Sequence, residues 1–293
     1  MTAPMRIADL AGLVPSDAVK RCYRCLDANT PDDYRQLAAL LVDDWCRRGV
    51  ATAGIGGGQG AGKSTLGRLI TEAGTVFGTR IEVLSIDDFY LTREERLRLA
   101  ETIHPLLAIR GPPGTHAVER LRDTMAALRQ PGVVDVPHFD KGTDTRSGFA
   151  RIDGGAGLVV LEGWCVGARA AKFPIDEPIN ALEREHDAHT RWRSYIENAL
   201  GGPYAKLNDD LEELVFLKVP GLDAVRRWRL QQEGERPPGQ RLSAAEVNRF
   251  VEHYERITRR MLATMPAIAD VVVDLDDAHR VSAMRLRAKP ARP

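Results

Sequence analysis

Residues 57–64 read Gly57-Gly58-Gln59-Gly60-Ala61-Gly62-Lys63-Ser64. A glycine, four free positions and then Gly-Lys-Ser is the spacing of a phosphate-binding loop. Glycines let successive backbone N–H groups close around phosphate oxygens, and a following helix adds the positive end of its dipole. In that chemistry Lys63 reaches the β- and γ-phosphates, the Ser64 hydroxyl ligates Mg²⁺, and Thr65 completes the loop at the helix start. The flanks agree with it: residues 50–55 are a short apolar run suited to a buried strand, and Leu66, Leu69, Ile70 and Ala73 follow at helical spacing.

A loop of this kind grips a nucleotide, and chemistry on it needs carboxylates nearby. In an open parallel sheet, ligands bind beyond the carboxyl ends of the strands, so acids that follow strands are the candidates. Asp87 and Asp88 follow the apolar run 81–86, and Glu162 follows 158–161. A carboxylate so placed can hold Mg²⁺ or accept the proton of an attacking hydroxyl; alternatively it caps a helix or sits in a solvated turn. There is no Asn-Lys-x-Asp sequence, which disfavours a GTPase, and the run at Glu162 lacks the acidic pair of a motor ATPase. Phosphoryl transfer to a small molecule remains.

The elements that must position these groups alternate. A helical section is expected over 1–49, with Thr30 as cap and Pro31 in the first turn of a helix carrying Leu37, Leu40, Leu41 and Trp45. Strands are expected at 50–55, 81–86, 158–161, 214–219 and 271–275, with a short extended segment at 133–139. Helices fit between them, one starting at Thr115 and one over 243–265 that opens with a Ser243-x-x-Glu246 capping box and stops at Pro266. This alternation predicts an α/β domain over 50–287 with a mostly parallel sheet covered on both faces. Residues 231–241, rich in Gly, Pro, Gln and Arg, read as a mobile loop, and 288–293 as a frayed tail.

Composition narrows the partners. Across 293 residues, 41 basic and 41 acidic side chains cancel, so no bulk field favours nucleic acid or an anionic membrane. No apolar stretch approaches a membrane span and the N-terminus lacks signal-peptide character, so a cytoplasmic protein is expected. Cys22 and Cys25 form a lone C-x-x-C among Val19, Tyr23 and Leu26, which reads as a helix face with buried thiols rather than as zinc ligands.

The chain resembles the D-glycerate 3-kinase-like branch of P-loop kinases, whose wider relatives include uridine kinase, phosphoribulokinase and bacterial pantothenate kinase. Four stretches carry the resemblance: the loop 57–64; Leu84-Ser85-Ile86-Asp87-Asp88-Phe89-Tyr90-Leu91-Thr92; Arg110-Gly111-Pro112-Pro113-Gly114-Thr115-His116; and Leu161-Glu162-Gly163-Trp164-Cys165-Val166-Gly167. Pro137-His138-Phe139-Asp140-Lys141 to Arg146 matches a substrate-side segment, and Trp192-Arg193-x-Tyr195 and Trp228-Arg229 extend the similarity over most of 50–275.

The resemblance implies a P-loop NTPase fold with a five-stranded parallel sheet of order 2-3-1-4-5 and a mobile lid at about 223–243. It implies ATP and Mg²⁺ as cofactors and a small-molecule acceptor, D-glycerate in the first place. Asp87 matches the general base and also reaches the metal; Ser64 and Glu162 hold Mg²⁺, and Asp88 has a supporting place. Arg226 and Arg229 fall where related kinases close a lid over the phosphates. The acceptor's carboxylate and hydroxyls need cations and donors, for which Tyr90, Arg110, His116, His138, Lys141 and Arg146 are candidates beside Asp88. His116 could equally cap its helix, and Lys141 could pair with Asp140 or Asp144. The branch usually has an acid after Gly-Thr-His where this chain has Ala117, a change that bears either on a substrate contact or on a helix cap. Two alternatives stay open: a kinase of the same design for a nucleoside, pantothenate or sugar, and a non-catalytic ATP-binding switch.

Overall fold

The computed structural model describes residues 16–234, 237 and 241–287. Two helices come first, α1 (Asp17–Cys25) and α2 (Asp32–Arg48). The sheet begins with β1 (Thr52–Gly57), α3 (Lys63–Val76) and β2 (Ile81–Ser85). Helices α4 (Arg93–Thr102) and α5 (Val118–Leu128) lead into an antiparallel hairpin, β3 (Val133–Asp140) and β4 (Thr145–Asp153). After β5 (Leu158–Gly163) come α6 (Ala181–His186), α7 (Arg191–Gly201) and α8 (Pro203–Asp209). The chain then forms β6 (Glu213–Lys218), α9 (Leu222–Gly234), α10 (Ala244–Ile268), β7 (Val271–Leu275) and β8 (Val281–Leu286).

The main sheet runs β2-β5-β1-β6-β7-β8. Its first five strands are parallel and β8 pairs antiparallel with β7. The central strands β1 and β5 are buried along their whole length, because helices cover both faces. One face carries α1, α2 and α3 with Trp228 of α9; the other carries α5, α7, α8 and α10. No helix among the described residues is long and apolar enough to cross a membrane.

Several expectations need correction. The sheet has six strands rather than five, so its full order differs; its five parallel strands, counted along the chain, run 2-3-1-4-5 as expected, and β8 is added antiparallel at the edge. The added edge strand β8 (Val-Ser-Ala-Met-Arg-Leu) has no clean alternation to announce it. The segment at 133–139 is half of a hairpin outside that sheet, and its partner β4 is largely exposed. The second helix is capped at Pro31 with no side-chain bond; Thr30 instead donates to Asp27 and accepts from Arg68. Helix α5 starts at Val118, since the Thr115 hydroxyl is spent within its own loop, accepting from Gly111 N and donating to Pro112 O. Helix α10 runs through Pro266 to Ile268: a proline in the last turn removes one N–H donor, and fully buried Met265 beside it anchors the turn. The Ser243–Glu246 capping box is formed as expected. Of the two thiols expected to be buried, Cys22 is buried and Cys25 is exposed. Of the expected mobile loop, 231–234 is the end of α9 and most of the rest lies outside the described residues, as does the expected tail at 288–293.

Candidate active site

The phosphate loop joins β1 to α3. Gly62 caps α3 in the left-handed region (φ 77°) with no side-chain cap, leaving the first N–H groups of the helix for an anion. A Cβ at Gly62 would lie 2.6 Å from Tyr34 Oη, and that hydroxyl donates to Ala61 O at 2.9 Å. Helix α2 therefore braces the loop from behind. Lys63 Nζ donates to Gly58 O at 2.9 Å. Burial pushes its pKa down, opposed by the charges of Glu162 and Asp87; a phosphate beside it would favour the charged form further.

Glu162 stands in register with Ile55 of β1 and Ser85 of β2, which sets its carboxylate between the loop and the end of β2. Ser64 Oγ donates to Glu162 Oε1 at 2.8 Å. This pair of hard oxygen donors suits Mg²⁺, which prefers one or two protein oxygens and takes the rest from water and nucleotide phosphates.

Asp87 lies in the short 3₁₀ turn after β2. Tyr90 Oη donates to its Oδ1 at 2.7 Å and Lys141 Nζ to its Oδ2 at 2.6 Å. Burial pushes the carboxyl pKa up, but Lys141 and the two hydrogen bonds outweigh that and hold it below the usual carboxylate range. Asp87 lines the same cavity as the Ser64–Glu162 pair.

The opposite wall is the loop at 110–116. Gly111 has φ 120°, and a Cβ there would lie 2.2 Å from Tyr254 Oη. Tyr254, from α10, donates to Arg110 O at 3.1 Å, and Trp164 Nε1 donates to Gly111 O at 3.0 Å. From α7, Tyr195 Oη donates to Gly114 O at 2.9 Å. Thus clamped, the loop sets Arg110 against Asp144 of the hairpin, and Asp144 also accepts from Arg96 of α4 at 2.7 Å. Burial raises the Asp144 carboxyl pKa, but the two guanidinium groups outweigh it and keep the group ionised. Between these walls and the phosphate loop lies one cavity of about 630 Å³.

No family model matches the chain. The D-glycerate 3-kinase of Arabidopsis thaliana chloroplasts is 29% identical over 237 residues, which are 73% of this chain but 48% of that protein. An uncharacterized kinase of Schizosaccharomyces pombe, mug58, is 33% identical over 221 residues, 69% of this chain and 77% of its own length. The chain belongs to the D-glycerate 3-kinase-like P-loop kinases. Two solved structures share its fold. The YGR205w protein superposes with a TM-score of 0.70 at 23% identity, over 88% of this chain and 98% of its own. A D-glycerate 3-kinase from Cryptococcus neoformans gives 0.66 at 20% identity, over 96% and 99%. As a kinase of this family, the protein is an ATP-using phosphotransferase for a small molecule.

In this kinase the cavity brings together Gln59, Gly60, Lys63 and Ser64 of the loop with Asp87, Tyr90, Arg110, Lys141, Glu162 and Arg229. Gly57, Gly58, Ala61 and Gly62 frame the loop, and Thr65 lies exposed in the first turn of α3. Besides these, five expected site residues do not line it. Asp88 accepts from Phe139 N at 3.2 Å and pairs with exposed His138 at 3.2 Å, so both serve to hold the hairpin. Arg146 donates to Tyr90 O at 3.3 Å. His116 is 5% exposed and stacks under Tyr90 with centroids 4.6 Å apart; burial pushes its pKa down to about 4, so it is a neutral plate behind the site. Arg226 bonds Asp223 at 2.9 Å and lies 3.6 Å from Glu255. Ala117 is the N-cap of α5 and makes no side-chain cap bond, which places the family departure at a helix end.

Sequence reasoning missed Arg96, Asp144 and Tyr254. Arg96 sits in Arg-Glu-Glu-Arg-Leu-Arg, which reads as a solvated face, yet it is 1% exposed because its guanidinium reaches three backbone carbonyls and a carboxylate.

Proposed function

We propose that the kinase transfers the γ-phosphoryl group of ATP to a hydroxyl of D-glycerate. The observation that supports this acceptor is the charge at its end of the cavity. Arg96, Arg110 and Lys141 face Asp87 and Asp144, which leaves one net positive charge beside the proposed base. That balance suits an acceptor with one carboxylate and gives a neutral nucleoside or sugar no counterpart.

The roles follow from position. The loop amides and Lys63 hold the phosphates. Ser64 and Glu162 would hold Mg²⁺, which would supply charge neutralisation to the phosphates. Asp87 orients the acceptor hydroxyl and takes its proton as the oxygen attacks the γ-phosphorus; the bond to the β–γ bridging oxygen breaks and ADP leaves. Lys141 keeps Asp87 ionised for that step. Arg229 lines the cavity paired with Glu233 of its own helix, and a phosphate beside it would draw on that positive charge.

An acceptor panel tests the reading: ADP release from Mg-ATP with D-glycerate, L-glycerate, uridine, pantothenate and fructose. D-Glycerate is expected to stimulate release by at least about a hundredfold over the acceptor-free rate, with neutral acceptors near background. Any other acceptor that outruns D-glycerate, pantothenate included, would replace the substrate while leaving the phosphotransferase; no stimulation by any acceptor would favour the binding switch.

A further inference from the structure

The turn of the β3–β4 hairpin carries two groups into the cavity, Lys141 and Asp144, and is built to present them. Asp140 closes it, accepting from Gly142 N at 2.7 Å and from Thr143 Oγ1 at 2.9 Å. Asp144 follows with φ 56°, in the left-handed region that Asp tolerates better than most side chains. That conformation delivers its main-chain oxygen and its carboxylate together to one buried guanidinium: Arg96 Nη2 donates to Asp144 O at 2.9 Å and to Oδ2 at 2.7 Å. Arg96 cannot move to meet a ligand, since it also holds Leu91 O at 3.3 Å and Ala108 O at 3.0 Å. The other carboxylate oxygen of Asp144 takes Arg110 Nη1; Arg96 is buried, whereas Arg110 and Asp144 are both partly exposed to the cavity.

We infer that Asp144 is the positioning residue of the acceptor pocket: anchored on Arg96, it fixes the Arg110 guanidinium against the cavity so that the remaining N–H donors of Arg110 can take the acceptor's carboxylate. This rests on the glycerate reading above. A guanidinium has five N–H donors in a planar fork, so a carboxylate on one side leaves donors for a second anion on the other. Held in this way, Arg110 gives up less conformational freedom on binding than a free arginine would. The same anchor fixes the turn from which Lys141 reaches Asp87, three residues earlier. Asp144 acts on the acceptor through Arg110 and does not touch it.

Two readouts test the assignment in the full chain. In Asp144→Asn the amide oxygen can still accept from Arg96 while the charge that holds Arg110 is gone. The KM for D-glycerate should rise at least about tenfold, with kcat within about threefold and the KM for ATP unchanged. Asp144→Glu should restore part of the loss, and Asp144→Asn combined with Arg110→Met should raise KM no further than Arg110→Met alone. The second readout needs no acceptor. Phenylglyoxal modification of Arg110, followed by peptide mass analysis, should be several times faster in Asp144→Asn than in the wild type. Arg110→Met, at the exposed partner, supplies the KM arm if Asp144→Asn does not fold. An unchanged modification rate overturns the placement, and additive KM effects or a fall in kcat alone overturn the route through Arg110. A wild type inert toward D-glycerate but with the modification shift intact overturns the acceptor and leaves the placement of Arg110 standing.

Discussion

The two halves of the cavity are built by different means. The nucleotide half is one continuous segment: β1, the glycine loop and α3 supply Lys63 and Ser64 within about a dozen residues, and Glu162 joins them from the adjacent strand in register with Ile55. Backbone geometry places these groups, with Tyr34 as the brace. The acceptor half is assembled from four separate segments, with Asp87 after β2, Arg96 on α4, Arg110 on its loop and Lys141 and Asp144 on the hairpin. Ion pairs and buried aromatics place those groups. A site set by backbone should fail in catalysis when one group is removed, whereas removing one of the side-chain partners that place the acceptor half around its base Asp87 should show in affinity, pH response and local stability.

Apart from removal of the base Asp87 itself, the largest expected effect is on the first half. Glu162→Gln keeps the shape beside Ser64 and removes the charge, and should lower kcat by about 10²–10³-fold while raising the Mg²⁺ concentration needed for half-maximal rate. A magnesium titration of both proteins checks it; an unchanged midpoint would detach Glu162 from the metal. Next comes the clamp of the second half. Gly111→Ala puts a Cβ where Tyr254 Oη lies 2.2 Å away, at φ 120°, and should cost about 2–4 kcal/mol in denaturant unfolding. The surviving folded enzyme should lose affinity for the acceptor before ATP.

What was legible in the sequence follows the same division. The phosphate loop, Asp87 and Glu162 could be found because each stands next to a strand whose apolar run declares it. The hairpin could be read only by half: β3 has Val133, Val134 and Val136, but β4 reads Thr-Arg-Ser-Gly-Phe-Ala-Arg-Ile-Asp and lies mostly exposed. Lys141 was reached as a candidate, yet its partner is Asp87, 54 residues away, rather than the neighbouring Asp140 or Asp144. Arg96 and Asp144 carry no local signal, since a buried guanidinium is defined by the carbonyls that surround it. In the sequence His116 is a candidate because an acceptor carboxylate needs cations and donors; its burial comes from Tyr90 and Tyr204, which are distant or across the loop.

His116 supplies the third prediction. It stays neutral in the folded protein down to about pH 4, while an unfolded histidine takes up a proton near 6.5. The unfolded chain therefore binds the extra proton between those values. The contribution to stability is complete above pH 6.5 and falls away toward pH 4, by at most about 3 kcal/mol. Denaturant unfolding of the wild type and of His116→Phe at pH 4.5 and 7 should show this slope in the first and lack it in the second; equal slopes would remove His116 from the account.

A smaller effect separates Lys141 from the metal side. Lys141→Met takes away the charge that lowers the Asp87 pKa, so the acid limb of kcat/KM should move to higher pH and activity at pH 6 should fall by about tenfold. An acid limb that does not move would mean that another group titrates there. The smallest is at the helix end: Ala117→Asp should supply the missing cap of α5 and add about 1 kcal/mol of stability with the acceptor KM unchanged. A change in that KM would return position 117 to the pocket.

The central claim is that Asp87 activates a glycerate hydroxyl beside a nucleotide held independently by the loop. It is tested most directly by turnover with saturating Mg-ATP and D-glycerate in the wild type and Asp87→Asn, with ATP affinity measured calorimetrically on both. The account predicts glycerate-stimulated ADP release that falls by about 10³-fold in the variant while the Kd for ATP stays within twofold. Turnover of the variant within tenfold of the wild type, or no stimulation by glycerate in either, would contradict it.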